Sequence, residues 1–308
     1  ISEKVSRAAF FLYICFLLLA SAHHLLVDPG ISSEWKVFNT SYALFLAVLG
    51  SMIHGMSVPG AIEVAQRKRG FTQGTFGWLR KAPWGNPAFS GMFMSIVLFG
   101  LLGGITGVIM GTEQLNIIMH NTLYVPGHFH GTVVAGTTLT FMALSYLLVP
   151  LIFRRDLVFK RLAQWQPYLF GLGVAGLSVF MMAAGTLGVS RRHWDMAFSD
   201  AAMSFDYPPA AFLMLALNGI SAIIASIGGV AFILVIVGSI LFGKKRDEES
   251  IRANPVVFQG GGEVAASYGD AGSLKIPGTA MLVGLFFAAF ILYYFVNWKY
   301  LSEVWPLS

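Results

Sequence analysis

Residues 125–153 read VPGHFHGTVVAGTTLTFMALSYLLVPLIF. No Asp, Glu, Lys or Arg interrupts the run, and about 20 apolar residues are enough to cross a bilayer as a helix. The stretch therefore reads as a membrane span, and that decides the fold class. It also raises a chemical question, because His128 and His130 sit one residue apart at its start, where an ionisable ring is expensive and marks function.

The same pattern recurs along the chain. Of 308 residues, 56% are hydrophobic and only 11% charged, against about 25% charged in soluble domains. Charge-free runs predict seven spans, at about 8–27, 38–62, 86–110, 127–153, 166–190, 211–243 and 276–298. The expected fold is all-α, a polytopic membrane helix bundle forming a single membrane domain over residues 1–308. Gln114–Phe153 is too long for one helix, so Pro126-Gly127 is the expected break and 114–126 an outer loop or re-entrant segment. The 211–243 run is also long, and its helix should project beyond the membrane.

Basic residues set the orientation. Sixteen of the 20 Lys and Arg fall on one side: the N-terminus, the 66–81 loop, Arg154 to Arg161, and the 244–275 loop. The other side has Lys36, Arg191, Arg192 and Lys299. This predicts a multi-pass chain in the plasma membrane of a prokaryote, with a cytoplasmic N-terminus and an outer C-terminus. Residues 244–275, containing FQGGGEV, read as a cytoplasmic linker. The net charge of +5 belongs to membrane-flanking loops, so membrane lipid and no nucleic acid is expected as a partner. The chain begins at Ile1 without a basic region and cleavage site, and is expected to be a fragment or one piece of a split polypeptide.

One cysteine, Cys15, excludes an internal disulfide and a thiolate metal site. Any metal must be held by histidine. Six of the seven histidines cluster toward the outer face in this topology: His23, His24, His120, His128, His130 and His193. His128 and His130 are i and i+2, about 200° apart on a helix. They suit two separate ligands, one on each side of the helix, as an axial imidazole serves a heme iron. The plain alternative is a pair of interfacial histidines facing headgroups.

His23-His24, at a helix end stopped by VDPG (27–30), can give two ligands to one copper or zinc, with a third from elsewhere; a polar helix end is the alternative. Arg191-Arg192 break the positive-inside trend and call for an anion. Heme propionates fit, because an Arg fork binds carboxylate bidentately; an ordinary surface pair near Asp195 and Asp200 is the other reading. His120 can reach a propionate or a bridging water. No Asp or Glu lies inside a span as drawn, so no carboxylate proton relay is visible, and His54 reads best as a packing histidine. The Gly-rich GLLGG (100–104) matches close helix packing rather than a nucleotide loop.

At HH followed by VDPGISSEWK, then HNTLYVPGHFH, then RR, the chain resembles subunit I of the heme-copper oxygen reductases, most closely the B-type branch. The likeness covers nearly the whole chain and follows the last seven spans of a fold with twelve or more helices. The resemblance implies reduction of dioxygen to water at a binuclear centre with coupled proton uptake. Its cofactors would be one low-spin heme, one high-spin heme and copper B. It implies His23 and His24 as copper B ligands, His128 as the high-spin heme ligand and His130 as the low-spin heme ligand. His120, Arg191 and Arg192 would stand at the propionates, and Phe129 between the hemes.

The same resemblance implies partners. These are the N-terminal half of subunit I, or a separate chain, bearing the remaining ligands; a CuA-type subunit II; and cytochrome c or another electron donor. Departures are specific. Asn116 replaces a propionate-side carboxylate, and Asn121 replaces the A-type magnesium ligand. Gly50 and Ile53 stand where the family's proton path has hydroxyls, with Ser51 and His54 one residue off. A nitric oxide reductase on the same scaffold, and a non-catalytic heme-binding or scaffold subunit, are the two alternative readings.

Overall fold

A computed structural model of the chain describes residues 3–20, 25–27, 29–192, 206–247, 249–250 and 276–304. Among them every regular element is a helix, and the only extended pairings are the isolated bridges Thr122–Ser190 and Arg155–Lys245. The longer helices are α1 (Glu3–Leu19), α2 (Leu44–Lys68), α3 (Pro87–Met110), α4 (Tyr124–Phe153), α5 (Lys160–Thr186), α6 (Pro209–Phe242) and α7 (Pro277–Val304). Each overlaps one of the expected spans. Among the described residues, five stretches are long and apolar enough to cross a membrane: Leu46–Lys68 and the whole of α3, α4, α5 and α6. α1 has 17 residues and carries Glu3, Lys4 and Arg7, and in α7 the apolar described stretch is Pro277–Ala289. The protein is a membrane protein, and its large apolar side chains point outward accordingly; Ile223, Ile227 and Val230 on α6 are each more than half exposed.

Four expected boundaries move. α1 ends at Leu19, and Leu26-Val27 already lie in a turn. α4 starts at Tyr124, so Pro126-Gly127 sit in its first turn rather than breaking it. First-turn N–H groups have no partner inside the helix, so a proline there removes no hydrogen bond. α5 begins at Lys160 and carries Pro167 within it. α2 runs on to Lys68 and takes Glu63 with it. Residues 251–275 of the expected linker lie outside the described residues.

The chain divides into two compact units. The first comprises residues 1–82, 107–118 and 262–308. In it α1 crosses α2 so closely that a Cβ on Gly50 would lie 2.7 Å from the Ala9 carbonyl oxygen and 2.9 Å from Tyr13 Cβ. A side chain is therefore excluded at Gly50. His54 faces Ser6 Oγ at 3.4 Å. α2 and α7 meet at Glu63. Its buried carboxylate accepts from Gly278 N at 3.1 Å, Thr279 N at 2.6 Å and Arg67 Nε at 2.8 Å. Glu63 thus caps the first turn of α7, where backbone N–H groups lack helical partners.

The second unit comprises residues 83–106 and 119–261. α5 and α6 pack through small residues: Gly173 against Ala225, Gly176 against Ser221, and Gly228 against Phe170. Between membrane helices association depends on close van der Waals approach, which small residues allow. α3 and α4 are each interrupted by a π-helical segment, at Phe99–Ile105 and His130–Thr138. The two segments interlock. A Cβ on Gly103 would lie 2.7 Å from Thr132 Cγ2, one on Gly131 2.6 Å from the Leu102 carbonyl oxygen, and one on Gly136 2.5 Å from Phe99 Cδ2.

Candidate functional site

The two histidines of the quoted motif sit where α4 passes from α-helix into its π segment. Such widened turns are frequent at functional sites. His128 is buried, whereas Phe129 is exposed and His130 half-buried. The His128 and Phe129 rings meet edge-on at 5.9 Å.

Hydrogen bonding fixes both imidazoles. His130 Nδ1 lies 2.7 Å from the Pro126 carbonyl oxygen. A carbonyl only accepts, so Nδ1 carries the proton and Nε2 the basic lone pair. His128 Nδ1 lies 2.8 Å from Thr106 Oγ1 on α3. The single Thr106 hydroxyl proton goes to the Leu102 carbonyl, so Thr106 accepts from His128 Nδ1–H. Both rings therefore carry the proton on Nδ1, which leaves the basic lone pair on Nε2. A histidine that holds a metal has this arrangement: its other ring nitrogen donates to an oxygen that fixes orientation and basicity.

Packing holds the turn that carries them. Ser178 Oγ on α5 donates to the Gly127 carbonyl at 2.7 Å. A Cβ on Gly127 would lie 2.7 Å from Met182 Cγ and 2.8 Å from Met182 N, so only glycine lets α4 and α5 come this close. Gly185 is pressed in the same way against the backbone of Tyr124.

The preceding loop forms a second polar group. Segments 121–123 and 189–191 pair in antiparallel fashion: Arg191 N donates to Asn121 O at 2.8 Å, and Leu123 N to Val189 O at 2.8 Å. Arg191 Nε and Nη2 both donate to Asn121 Oδ1, at 3.1 and 2.8 Å. Asn121 and Arg192 have φ of 62° and 67°, the left-handed region that Asn tolerates better than most residues. This pairing places Arg191 beside Asn121 in space, although 70 residues separate them. Asn116, in the other unit, is buried; its Nδ2 donates to Met110 O at 2.8 Å, and its Oδ1 has no partner among the described residues.

His23, His24 and His193 lie outside the described residues. Among those that are described, no three His, Cys, Asp or Glu side chains gather as a metal cluster. His128 and His130 would each offer one imidazole nitrogen, the donor that suits a heme iron. The residues present fit heme in this respect. The sequence reading names His120, His128, His130, Arg191 and Arg192 but not their neighbours Thr106 and Ser178, nor Glu63. Thr106 is 22 residues from its partner, with no spacing that betrays it. Glu63 lies one residue past the expected end of its span.

The family model described as "Cytochrome C and Quinol oxidase polypeptide I" matches residues 1–230. The chain belongs to that family. It is thus a subunit I of the heme-copper oxidases. It is 34% identical over 262 residues to a cytochrome c oxidase subunit 1 of Thermus thermophilus, covering 84% of this chain and 44% of that protein. A cytochrome c oxidase polypeptide 1 of Halobacterium salinarum is 27% identical over 178 residues, 56% of this chain and 26% of that one. A solved chain described as "Cryo-EM structure of a heme-copper terminal oxidase dimer provides insights into its catalytic mechanism" superimposes with a TM-score of 0.70 at 28% identity. It covers 96% of this chain and 50% of its own. The chain thus spans about half the length of these heme-copper oxidase relatives. A shorter Thermus thermophilus cytochrome c oxidase subunit 1 sequence is matched over 98% of its length at 35% identity, using 38% of this chain.

Proposed function

We propose that this chain is the C-terminal part, seven spans in one membrane domain, of a B-type terminal oxidase subunit I, an oxidoreductase that reduces dioxygen to water. The observation that carries the reading is the pair of Nδ1-anchored imidazoles, His128 and His130, on one helix turn. In this reading His128 Nε2 holds the high-spin heme iron and His130 Nε2 the low-spin heme iron. His23 and His24 hold copper B, and Arg191, Arg192 and His120 receive the propionates. The two hemes and copper B supply electron transfer and the reduction chemistry when bound.

The chain's own contribution is positional. Ser178 and Gly127 fix the turn, Pro126 O and Thr106 Oγ1 fix the rings, and Asn121 aims the Arg191 fork. The reading requires a second low-spin heme ligand and a third copper ligand from residues outside this sequence, in an N-terminal half of subunit I or a separate chain. A CuA-type subunit II with cytochrome c, or another donor, would deliver electrons at the outer face of a prokaryotic plasma membrane. The N-terminus would be cytoplasmic and the C-terminus outside, with 244–275 as the inner linker.

A nitric oxide reductase on the same scaffold is the second reading. The missing hydroxyls at Gly50 and Ile53 favour it, but the close crossing of α1 and α2 supplies another reason for Gly50. The relatives described as cytochrome c oxidases support the first reading. Single-ligand variants of the assembled enzyme test it. His128→Ala should remove the high-spin heme spectrum and leave the low-spin one, and His130→Ala should do the reverse. If both spectra survive each change, the ligand assignment is wrong. Dioxygen uptake and copper in the purified complex separate the oxidase from the reductase.

A further inference from the structure

We propose that Thr106 is a positioning residue that sets the tautomer and the donor strength of His128; this rests on His128 being a heme ligand. The geometry is a relay of two hydrogen bonds. His128 Nδ1–H donates to Thr106 Oγ1 at 2.8 Å, and the Thr106 hydroxyl donates to the Leu102 carbonyl. Thr106 and His128 are both buried, so water does not compete for either bond.

Each donation strengthens the next, because a hydroxyl that has given its proton toward a carbonyl is a better acceptor. The result draws the Nδ1 proton toward Thr106 and leaves more electron density on Nε2. A ligating histidine with such a partner binds its metal more tightly and stabilises the oxidised metal.

The fold makes this contact in a specific way. Thr106 follows the π segment of α3, and its hydroxyl reaches back four residues to Leu102. Leu102 is also the residue against which Gly131 of α4 is pressed. The close approach that demands glycine at 131 therefore also brings Thr106 within reach of His128. Ser95 Oγ and Thr140 Oγ1 are bonded to each other at 2.8 Å on the same two helices and supply a natural control.

The test is Thr106→Val in the assembled, heme-loaded complex, with Thr106→Ser and Ser95→Ala beside it. Resonance Raman reads the iron–histidine stretch, and redox titration reads the midpoint potential of the high-spin heme. Thr106→Val should lower the stretching frequency, raise the potential and speed heme loss by about 10-fold, the low end of the effect of removing such a partner. Thr106→Ser should keep the parent values, and Ser95→Ala should leave both readouts unmoved. Should valine prevent assembly, Thr106→Ala carries the same expectation. An unchanged stretch and potential in Thr106→Val, or in Thr106→Ala, overturns the proposal. So does an equal shift in Ser95→Ala. If instead His128→Ala retains the high-spin heme, the ligand reading itself fails, which is a distinct result.

Discussion

Glu63 offers a sharp test of how the first unit is held together. Its carboxylate is fully buried and accepts three hydrogen bonds, from Gly278 N, Thr279 N and Arg67 Nε. Arg67 also donates to the carbonyls of Thr72 and Gly74, at 3.2 and 3.3 Å, which hold its guanidinium in place. Glu63→Ala would leave two N–H groups at the start of α7 without an acceptor. It would also leave a mostly buried cation, 18% exposed at the side chain, without its counter-charge. An unsatisfied buried N–H is worth about 1–3 kcal/mol, and breaking a buried ion pair about 3–5 kcal/mol.

These losses overlap, because one carboxylate serves all three donors, so the expected destabilisation is about 3–5 kcal/mol rather than their sum. Glu63→Gln keeps one accepting oxygen but turns an amide donor toward other donors, and should lie between parent and alanine. Denaturant unfolding of the detergent-solubilised complex, followed by a thiol-independent probe such as tryptophan emission, measures the difference. The double variant Glu63→Ala, Arg67→Met should recover part of the loss, since it removes the stranded cation. If Glu63→Ala lies within about 1 kcal/mol of the parent, the carboxylate is not the cap that the geometry makes it, and water must replace it at little cost.

Two further outcomes are expected. Gly127→Ala places a Cβ 2.8 Å from Met182 N and 3.0 Å from Ser178 O. Backbone must then shift, which should cost about 1–3 kcal/mol and perturb both heme spectra together, unlike either single-histidine variant. Tyr146→Phe removes the donor that meets buried Gln166 Oε1 at 3.0 Å; unfolding should report a loss of about 1–2 kcal/mol with unchanged heme spectra.

The helices were legible in the sequence because a bilayer imposes length and apolarity on any span, and each expected span does overlap a helix. Their ends were not legible. A boundary depends on what the terminal N–H and C=O groups find, and that is tertiary. Pro126 signals a break by itself, yet a first turn has no hydrogen bond there to lose. Glu63 signals the end of a span by itself, yet α7 supplies it with donors.

The same division runs through the candidate site. Histidine spacing and chain order single out His128, His130, His120 and the Arg191-Arg192 pair. The second unit adds Asn121 to Arg191 through the antiparallel pairing of 121–123 with 189–191. The groups that hold the two imidazoles are a carbonyl and a hydroxyl, and these leave no mark in a motif.

The glycines connect these observations. In hydrocarbon, two helices gain nothing from leaving water, so their spacing follows from which side chains are absent. Gly103, Gly131 and Gly136 form a reciprocal set, one on α3 and two on α4, each taking up an atom of the facing helix. All three lie in π segments, where the wider turn changes the register of the side chains relative to an α-helix. A bulkier residue at any of them would push α3 from α4 and lengthen the Thr106–His128 bond before it disturbed His130, whose anchor, Pro126 O, lies in its own helix. The two imidazoles are therefore held by different means. One depends on helix packing and the other on local backbone, so a packing change in this seam acts selectively on His128.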